Sequence, residues 1–187
     1  MDPAPFVELR RFTRDEFLRM TELGLFAADE HLELLHGRLV VVPPQGPPHT
    51  YSSSALRDRL LAAHAERAAV REDKPLDCGD DELPEPDLAV VRGTHRDYAT
   101  RHPRGDEAIL VVEVSRTTQA VDRDKASIYA RGRVPVYWLL DLQARRLEVH
   151  SELMGDRYGL VRVLVETDSV EVPETDARWV VQDLLPP

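Results

Sequence analysis

Apolar positions recur with two different periods along the chain, and the change of period separates helices from strands. Leu56, Leu60 and Leu61 fall at helical spacing and predict an amphipathic helix. Near-continuous apolar runs at 109–114 and 134–140 are typical of central strands covered on both faces. A right-handed helical crossover between these two runs would make them parallel neighbours.

Turn and capping residues mark the ends of other elements. The segment "TRDE", Thr13–Glu16, is a capping box that opens a short helix ending at about Leu23. Two strands are predicted around a tight turn at His36-Gly37. Thr117 or Thr118 can cap a third helix that runs to about Arg131.

Further strands complete the pattern. They are predicted near Val70 to Cys78 and in "DLAVV", "AILVVEVS", "VPVYWLLDL", "RLEVHS" and "YGLVRVLVE". Many strands with two or three helices predict an α/β or α+β fold, a central mixed sheet flanked by helices. The N-terminal helix and hairpin would extend this core on one side, and the C-terminal strands on the other.

Composition describes an ordinary globular chain. With 187 residues, 42% of them hydrophobic and 31% charged, residues 1–187 are most simply one domain. No apolar run approaches the ~20 residues that span a bilayer, and the N-terminus lacks the pattern of a secretory signal. The single cysteine, Cys78, excludes an internal disulfide. We therefore expect a cytoplasmic protein that binds no membrane.

Charge and residue usage add two expectations. A net charge of −10 argues against broad, non-specific adhesion to nucleic acid, although it permits a local basic strip. Two groups of arginines could form such a strip: Arg116, Arg123, Arg131 and Arg133, and Arg92, Arg96, Arg101 and Arg104. For any single arginine, solvated surface is the simpler interpretation. The absence of asparagine, the 14 prolines and the excess of arginine fit a hot-adapted source, although arginine usage also follows genomic base composition.

Two acids occupy comparable positions in neighbouring predicted strands. Glu113 stands inside an apolar run, where an uncompensated carboxylate costs several kcal/mol. Asp87 follows Pro86 at the start of the preceding strand, so both carboxylates can meet at one edge of the sheet. Paired carboxylates suit Mg²⁺, which keeps several waters. Lys125, one of only two lysines, follows on the next helix and could stabilise charge on a phosphate.

These segments resemble the PD-(D/E)XK restriction-endonuclease-like superfamily. The matching pieces are "EPDLAVV", "LVVEVS", "DRDKASIYA" and "VPVYWLLDL". With "LELLHGRL" and "PPHTYSSSALRDRL", the chain is similar over residues 10–150 to a large bacterial family of putative restriction endonucleases, long recorded as a domain of unknown function. The resemblance implies a restriction-endonuclease-like core at about 30–150, with a four-stranded mixed sheet whose carboxylates hold Mg²⁺.

The resemblance also implies roles for single residues. Asp87 and Glu113 fill the two acidic places of the motif, and Glu33 resembles an additional N-terminal acid directed at the metal. Ser115 stands where the signature lysine is normally found, so Lys125 looks like a migrated replacement. His49 falls at a motif position of the family.

Each of these residues also has a structural alternative. Asp87 could end a loop, and Glu113 could pair with Arg116 or Arg131. Lys125 could bond Asp122 three residues earlier on its helix. Glu33 could face solvent, His49 could be a loop residue, and Tyr129 is expected to be core or to support the site. Taken together, in this order and between these apolar flanks, the residues favour a metal site.

Three functions follow as hypotheses. The first is a Mg²⁺-dependent nuclease, with Mn²⁺ as a substitute, that hydrolyses phosphodiester bonds in DNA, using Asp87, Glu113 and Glu33 as metal ligands and Lys125 and His49 in catalysis. The alternative is a catalytically silent nuclease-fold module that binds protein or nucleic acid. A glycoside hydrolase would need more aromatic residues than 6%. A homodimer or higher homo-oligomer is expected, with "YGLVRVLVE" and "ARWVVQDLL" as its apolar surface.

Overall fold

Three helices and ten strands form the part of the chain that the structure, a computed structural model, describes: residues 9–27, 29–116 and 119–187. The helices are α1 (Arg14–Glu22), α2 (Pro47–His64) and α3 (Gln119–Arg131). The strands are β1 (Leu32–Leu35), β2 (Arg38–Val41), β3 (Ala68–Glu72), β4 (Leu88–Arg92), β5 (Ala108–Ser115), β6 (Tyr137–Asp141), β7 (Arg146–Met154), β8 (Arg157–Val165), β9 (Ser169–Glu171) and β10 (Arg178–Val180). Thr117 and Thr118, the predicted caps of α3, lie outside the described residues.

Six strands form the central sheet, in the order β3-β4-β5-β6-β7-β8. Strands β5 and β6 are parallel, and every other pair is antiparallel, so the sheet is mixed as predicted. The chain between β5 and β6 contains α3, which is the crossover expected between the two apolar runs. The sheet has two more strands than the core that the resemblance implies.

Alternating positions of β5 contribute to the two faces of the sheet. Val112 packs with Leu56 and Leu60 of α2 in one apolar cluster. Val111 packs in a second cluster that includes Tyr129 of α3. Since side chains alternate along a strand, Glu113 points to the same face as Val111, toward α3.

The N-terminal helix and hairpin form as predicted. Thr13 and Glu16 make a reciprocal capping box at the start of α1. The β1–β2 turn has positive φ angles, 52° at His36 and 69° at Gly37, which suit a tight hairpin turn. A side chain at Gly37 would also clash, since its Cβ would lie 2.6 Å from Arg11 Cβ. The close approach of Gly37 to Arg11 holds the hairpin against the segment that precedes α1.

Three local predictions were wrong. Strand β3 ends at Glu72 rather than near Cys78, because Asp73 has a φ of 48° and Pro75 lacks a backbone N–H. Leu61 is 45% exposed, so the apolar face of α2 is narrower than its spacing indicated. In the segment "ARWVVQDLL" only β10 is a strand, and Val181 and Leu184 are buried in the protein's own core.

Among the described residues, no helix combines the length and the apolar character needed to cross a bilayer.

Candidate functional site

Asp87 and Glu113 lie side by side, where β4 begins and β5 nears its end, as their positions in the sequence predict. Leu88 pairs with Val112 across the antiparallel β4–β5 ladder, so the residues just beyond them face each other. The Asp87 backbone N–H lies 3.4 Å from Glu113 Oε2, and Asp87 Oδ2 accepts a 2.6 Å hydrogen bond from the Val114 N–H. Both side chains are buried. Two carboxylates from separate strands therefore share one site.

The Asp87 carboxylate is oriented by two side chains, Gln45 just before α2 and His49 in its first turn. His49 Nε2 lies 3.1 Å from Asp87 Oδ2. Gln45 donates from Nε2 to Asp87 Oδ1 at 3.1 Å and also lies 3.2 Å from Asp73 Oδ1. Gln45 is the residue that sequence reasoning missed. The prolines on both sides of "QG" indicate a rigid loop, and they are the one feature of the sequence that could have drawn attention to Gln45.

Lys125 joins Glu113 to the N-terminal hairpin. From α3, its ammonium donates to Glu33 Oε1 and Glu113 Oε1, each at 3.0 Å. Tyr129, one turn later, donates its hydroxyl to the same Glu113 oxygen at 2.5 Å. All four side chains are buried. Lys125 is therefore part of the site, and Tyr129 supports it, as predicted.

The buried acids outnumber the cations around them. Burial raises the pKa of Glu33 to about 7, with Glu113 adding to the shift and Lys125 opposing it. Burial likewise raises the pKa of Asp87 to about 6, where His49 opposes the shift and Glu113 adds to it. For Lys125, burial alone would lower the pKa, but Glu113 and Glu33 together raise it, so the lysine stays charged. Three buried acids thus share one lysine and His49. The cavity over them is also lined by Arg116 and by three more acids, Asp73, Glu85 and Asp122, so negative charge is in excess.

This donor set fits a hard divalent cation. Glu113 Oε1 is occupied by Lys125 and Tyr129, whereas Oε2 faces Asp87. Within residues 9–27, 29–116 and 119–187, no group of three or more His, Cys, Asp or Glu side chains forms a ready metal cage. Mg²⁺ needs only one or two carboxylates, since water and substrate oxygens fill its other positions. Asp87 and Glu113 meet that requirement, and Glu33, like Glu113, accepts a hydrogen bond from Lys125.

A cavity of about 350 Å³, termed the acid cavity below, opens over these side chains. Its walls come from the hairpin, the "PPQGPP" loop and α3. Its polar lining includes Glu33, Gln45, His49, Asp87, Glu113 and Lys125. Every candidate site residue from the sequence therefore faces one space of the size of a small ligand.

Two of the structural alternatives for the site residues are contradicted by the observed contacts and burial. Arg131 forms an ion pair with Glu82 rather than with Glu113. Glu33 is 3% exposed, so it does not face solvent. Lys74, the other lysine, is exposed and bonds the Asp73 carbonyl oxygen outside the cluster. Lys125 is thus the lysine that belongs to the buried site.

Comparison with known proteins gives two findings. The family model Uma2, described as putative restriction endonuclease, matches residues 14–182. The chain is also similar to the crystal structure of a putative nuclease belonging to DUF820 from Anabaena variabilis, with a TM-score of 0.75 and 18% identity. That match covers 92% of this chain and 97% of the other. Among curated proteins, none matches the chain.

Proposed function

Because the chain belongs to the Uma2 family of putative restriction endonucleases, within the restriction-endonuclease-like superfamily, we propose that it is a Mg²⁺-dependent nuclease acting on DNA. Mn²⁺ is expected to substitute for Mg²⁺. The observation that supports this most directly is the juxtaposition of Asp87 and Glu113 in a buried site with too few cations. A divalent ion is the simplest species that would balance this charge.

Asp87 and Glu113 would hold the metal, with Glu33 contributing directly or through water. When bound, the ion would supply positive charge beside the scissile phosphate and lower the pKa of water. Lys125 fixes Glu113 Oε1, and Oε2, which accepts a long 3.4 Å bond from the Asp87 N–H, would be the oxygen that holds the ion. From this position its ammonium can also stabilise negative charge on the phosphate.

His49 has a positioning role in this proposal. Its Nε2 bonds Asp87, and burial would lower its pKa, but the Asp87 carboxylate raises it. The charged form of His49 is therefore favoured beside Asp87 and helps to keep that acid ionised. Direct contact with the phosphate, or a part in proton transfer, remains a prediction for His49.

The alternative is a catalytically silent nuclease-fold module for binding protein or nucleic acid. One observation favours it. Lys125 already bonds Glu33 and Glu113, an arrangement that stabilises the fold without any metal. Binding of a divalent ion separates the two functions, because only the nuclease requires one.

The test is cleavage of DNA by the Asp87→Asn protein in Mg²⁺. We expect the rate to fall at least about 100-fold, because the amide removes one of two charged ligands. In metal-free buffer the variant should melt at the same temperature as the parent or higher, since carboxylate repulsion is relieved. Asp58→Asn, at an exposed position of α2, is the matched control and should cleave normally. An Asp87→Asn protein that cuts DNA as fast as the parent would refute the assignment.

The homo-oligomer remains a prediction, as does the single domain over residues 1–187. Strand β8 supports the oligomer, because it forms one edge of the central sheet and exposes apolar side chains. Val161, Val163 and Val165 are each about half exposed on it. An apolar edge strand is a common site of pairing between chains. The mass of the protein in solution is the measurement that checks it.

A further inference from the structure

A second polar cavity, of about 800 Å³, lies away from the metal-site acids and is termed the arginine cavity. Its charged and aromatic lining consists of Arg14, Arg71, Arg101, Arg104, His102, Tyr98, Glu22 and Asp77. The lining holds four arginines and two acids, and Glu107 and Asp106 beside it pair with Arg101 and Arg104, in a chain whose net charge is −10. Such a cluster of guanidinium groups attracts an anion where one of them is left without a carboxylate.

Arg71 is the one arginine of this lining for which residues 9–27, 29–116 and 119–187 provide no carboxylate partner. Arg14 is held by Asp77 at 2.6 Å, and Arg101 forms a two-pronged ion pair with Glu107. Arg71 Nε, by contrast, is buried and has no hydrogen-bond partner in the part of the chain that the structure describes. Burial lowers the pKa of Arg71, and no carboxylate acts to raise it. Nε itself is closed to solvent, so an anion in the cavity would meet the rest of the Arg71 guanidinium. There it would balance a charge that no carboxylate of the described residues offsets.

Aromatic packing holds the Arg71 guanidinium in place. It lies 6.0 Å from the centre of the Tyr98 ring, and Arg101 lies 5.2 Å from the same ring. Tyr98 is itself fixed, since its hydroxyl donates to the Arg92 carbonyl oxygen at 2.5 Å. The donor is therefore positioned before any ligand binds.

The sheet places Arg71 on the same face as the candidate metal ligands. Arg71 pairs with Ala89 in the β3–β4 ladder, and Ala89 follows Asp87 by two positions. Side chains two apart on a strand, and those directly opposite across a ladder, share one face. Arg71 and Asp87 therefore project from the same side of adjacent strands.

A third cavity lies between these two and shares lining residues with each. A cavity of about 540 Å³ shares His31 and Glu85 with the acid cavity, and it shares His102 with the arginine cavity. The three cavities therefore lie side by side along the N-terminal segment, and this row of cavities is termed the groove. With a divalent ion on the paired carboxylates, both ends of the groove would carry positive charge, which matches a strand whose phosphates repeat along its length.

We propose that the arginine cavity binds a backbone phosphate of the nucleic-acid strand, with Arg71 as its principal ligand, while the strand follows the groove to the metal-site acids. This inference rests on the proposed nuclease function and adds to it a second anchoring point on the substrate. A free phosphate ion offers the same chemistry, so the test separates the two sources.

The experiment compares the full-length protein with its Arg71→Gln variant. Binding of a labelled DNA duplex is measured in metal-free buffer over a range of salt concentrations, and cleavage is measured separately in Mg²⁺. Arg162→Gln is the matched control, because Arg162 is exposed on β8, at the opposite edge of the same sheet. Since β8 is also the proposed oligomer surface, the mass of this variant in solution is compared with that of the parent. Arg71→Lys, which keeps the charge, tests whether the guanidinium itself is required.

We expect Arg71→Gln to weaken duplex binding about tenfold, the usual loss for one charge-assisted contact. The slope of log affinity against log salt should fall by about one, as for the loss of one phosphate contact. Arg162→Gln should leave both unchanged, and Arg71→Lys should keep the slope but bind less tightly than the parent. KM for cleavage should rise with little change in kcat, because Arg71 lies away from the reacting bond.

Three results would overturn the proposal. In the first, Arg71→Gln binds the duplex as the parent does; in the second, the Arg71 and Arg162 variants lose affinity equally. In the third, Arg71→Gln weakens binding of inorganic phosphate but not of DNA. The nuclease function is judged independently. If the parent cleaves DNA and Arg71→Gln cleaves it with the same KM, only the role of the arginine cavity is refuted. A parent that binds DNA through Arg71 without cleaving it supports the cavity and refutes the nuclease.

Discussion

Helix α3 contributes a cation to each of two buried acid clusters, and the clusters differ in how fully their charge is balanced. In the Lys125 cluster, one lysine bonds Glu33 and Glu113, with Asp87 adjacent. In the Arg123 cluster, Arg123 lies 2.7 Å from Glu148 and 3.3 Å from Asp141. Arg146 adds a second cation, 3.0 Å from Glu148. Two acids there meet two arginines.

The pKa shifts follow this difference. Glu148 and Glu33 are both nearly inaccessible to solvent, but Glu33 lies deeper in the protein, so burial raises the pKa of both and acts more strongly on Glu33. For Glu148 the hydrogen bonds and charge of Arg123, then the charge of Arg146, outweigh burial and lower the pKa. For Glu33 burial prevails and the pKa rises to about 7. Burial of an acid therefore does not by itself mark a functional site; an acid left short of positive charge does.

The largest effect expected from this comparison is on the lysine. Lys125→Met leaves two buried carboxylates without their cation, which should lower the free energy of unfolding by about 3 kcal/mol in metal-free buffer. Arg123→Met is the matched control on the same helix. It should cost only about 1 kcal/mol, because Arg123 is 41% exposed and Arg146 remains with Glu148.

Denaturant unfolding of the parent and both variants measures this difference. Equal losses in the two variants would mean that charge balance does not distinguish the clusters. A Lys125→Met protein as stable as the parent would contradict the proposed coupling of Lys125 to Glu33 and Glu113.

A smaller effect, opposite in sign between the clusters, is expected when one glutamate in each becomes glutamine. Glu148→Gln loses charge-assisted bonds to Arg123 and Arg146 and should destabilise the protein by about 1–2 kcal/mol. Glu33→Gln removes excess negative charge, and its amide oxygen can still accept from Lys125. It should therefore be neutral, or stabilise the metal-free protein by less than about 1 kcal/mol. Thermal melting without metal decides this; destabilisation by Glu33→Gln as large as that by Glu148→Gln would contradict it.

The contrast also shows how far the sequence could predict the site. Asp87 and Glu113 were predicted to meet because each belongs to a short apolar run, and consecutive strands are usually neighbours. Lys125 followed from the helix after β5, and the turn at His36-Gly37 correctly predicted the hairpin that contains Glu33. These relations depend on local periodicity and short connections, which a sequence displays directly.

Partners across long separations could not be predicted in the same way. Arg123 belonged to a predicted basic strip, yet it bonds Glu148 of β7, and the choice depends on how α3 packs on the sheet. The bond of Gln45 to Asp87 also depends on tertiary packing. So does the position of Arg71, whose Nε finds no partner among the described residues. The extent of β3 was also mistaken, since a single positive φ at Asp73 ended a strand that its composition would have continued.

The smallest effect is the acid response of the Arg123 cluster. Because Arg123 and Arg146 hold the pKa of Glu148 below its ordinary value in the folded state, the unfolded chain binds the proton more readily. The stabilisation is therefore present above the ordinary glutamate pKa of about 4.3 and is lost as the pH falls below it. Since Arg123 and Arg146 are partly exposed and screened by solvent, the loss should be under about 1 kcal/mol. Denaturant unfolding at a series of acidic pH values measures it, with Glu148→Gln as the control that lacks the titrating group. The stability of the parent should fall more steeply than that of the variant, and parallel curves would show that Glu148 gains nothing from its two arginines.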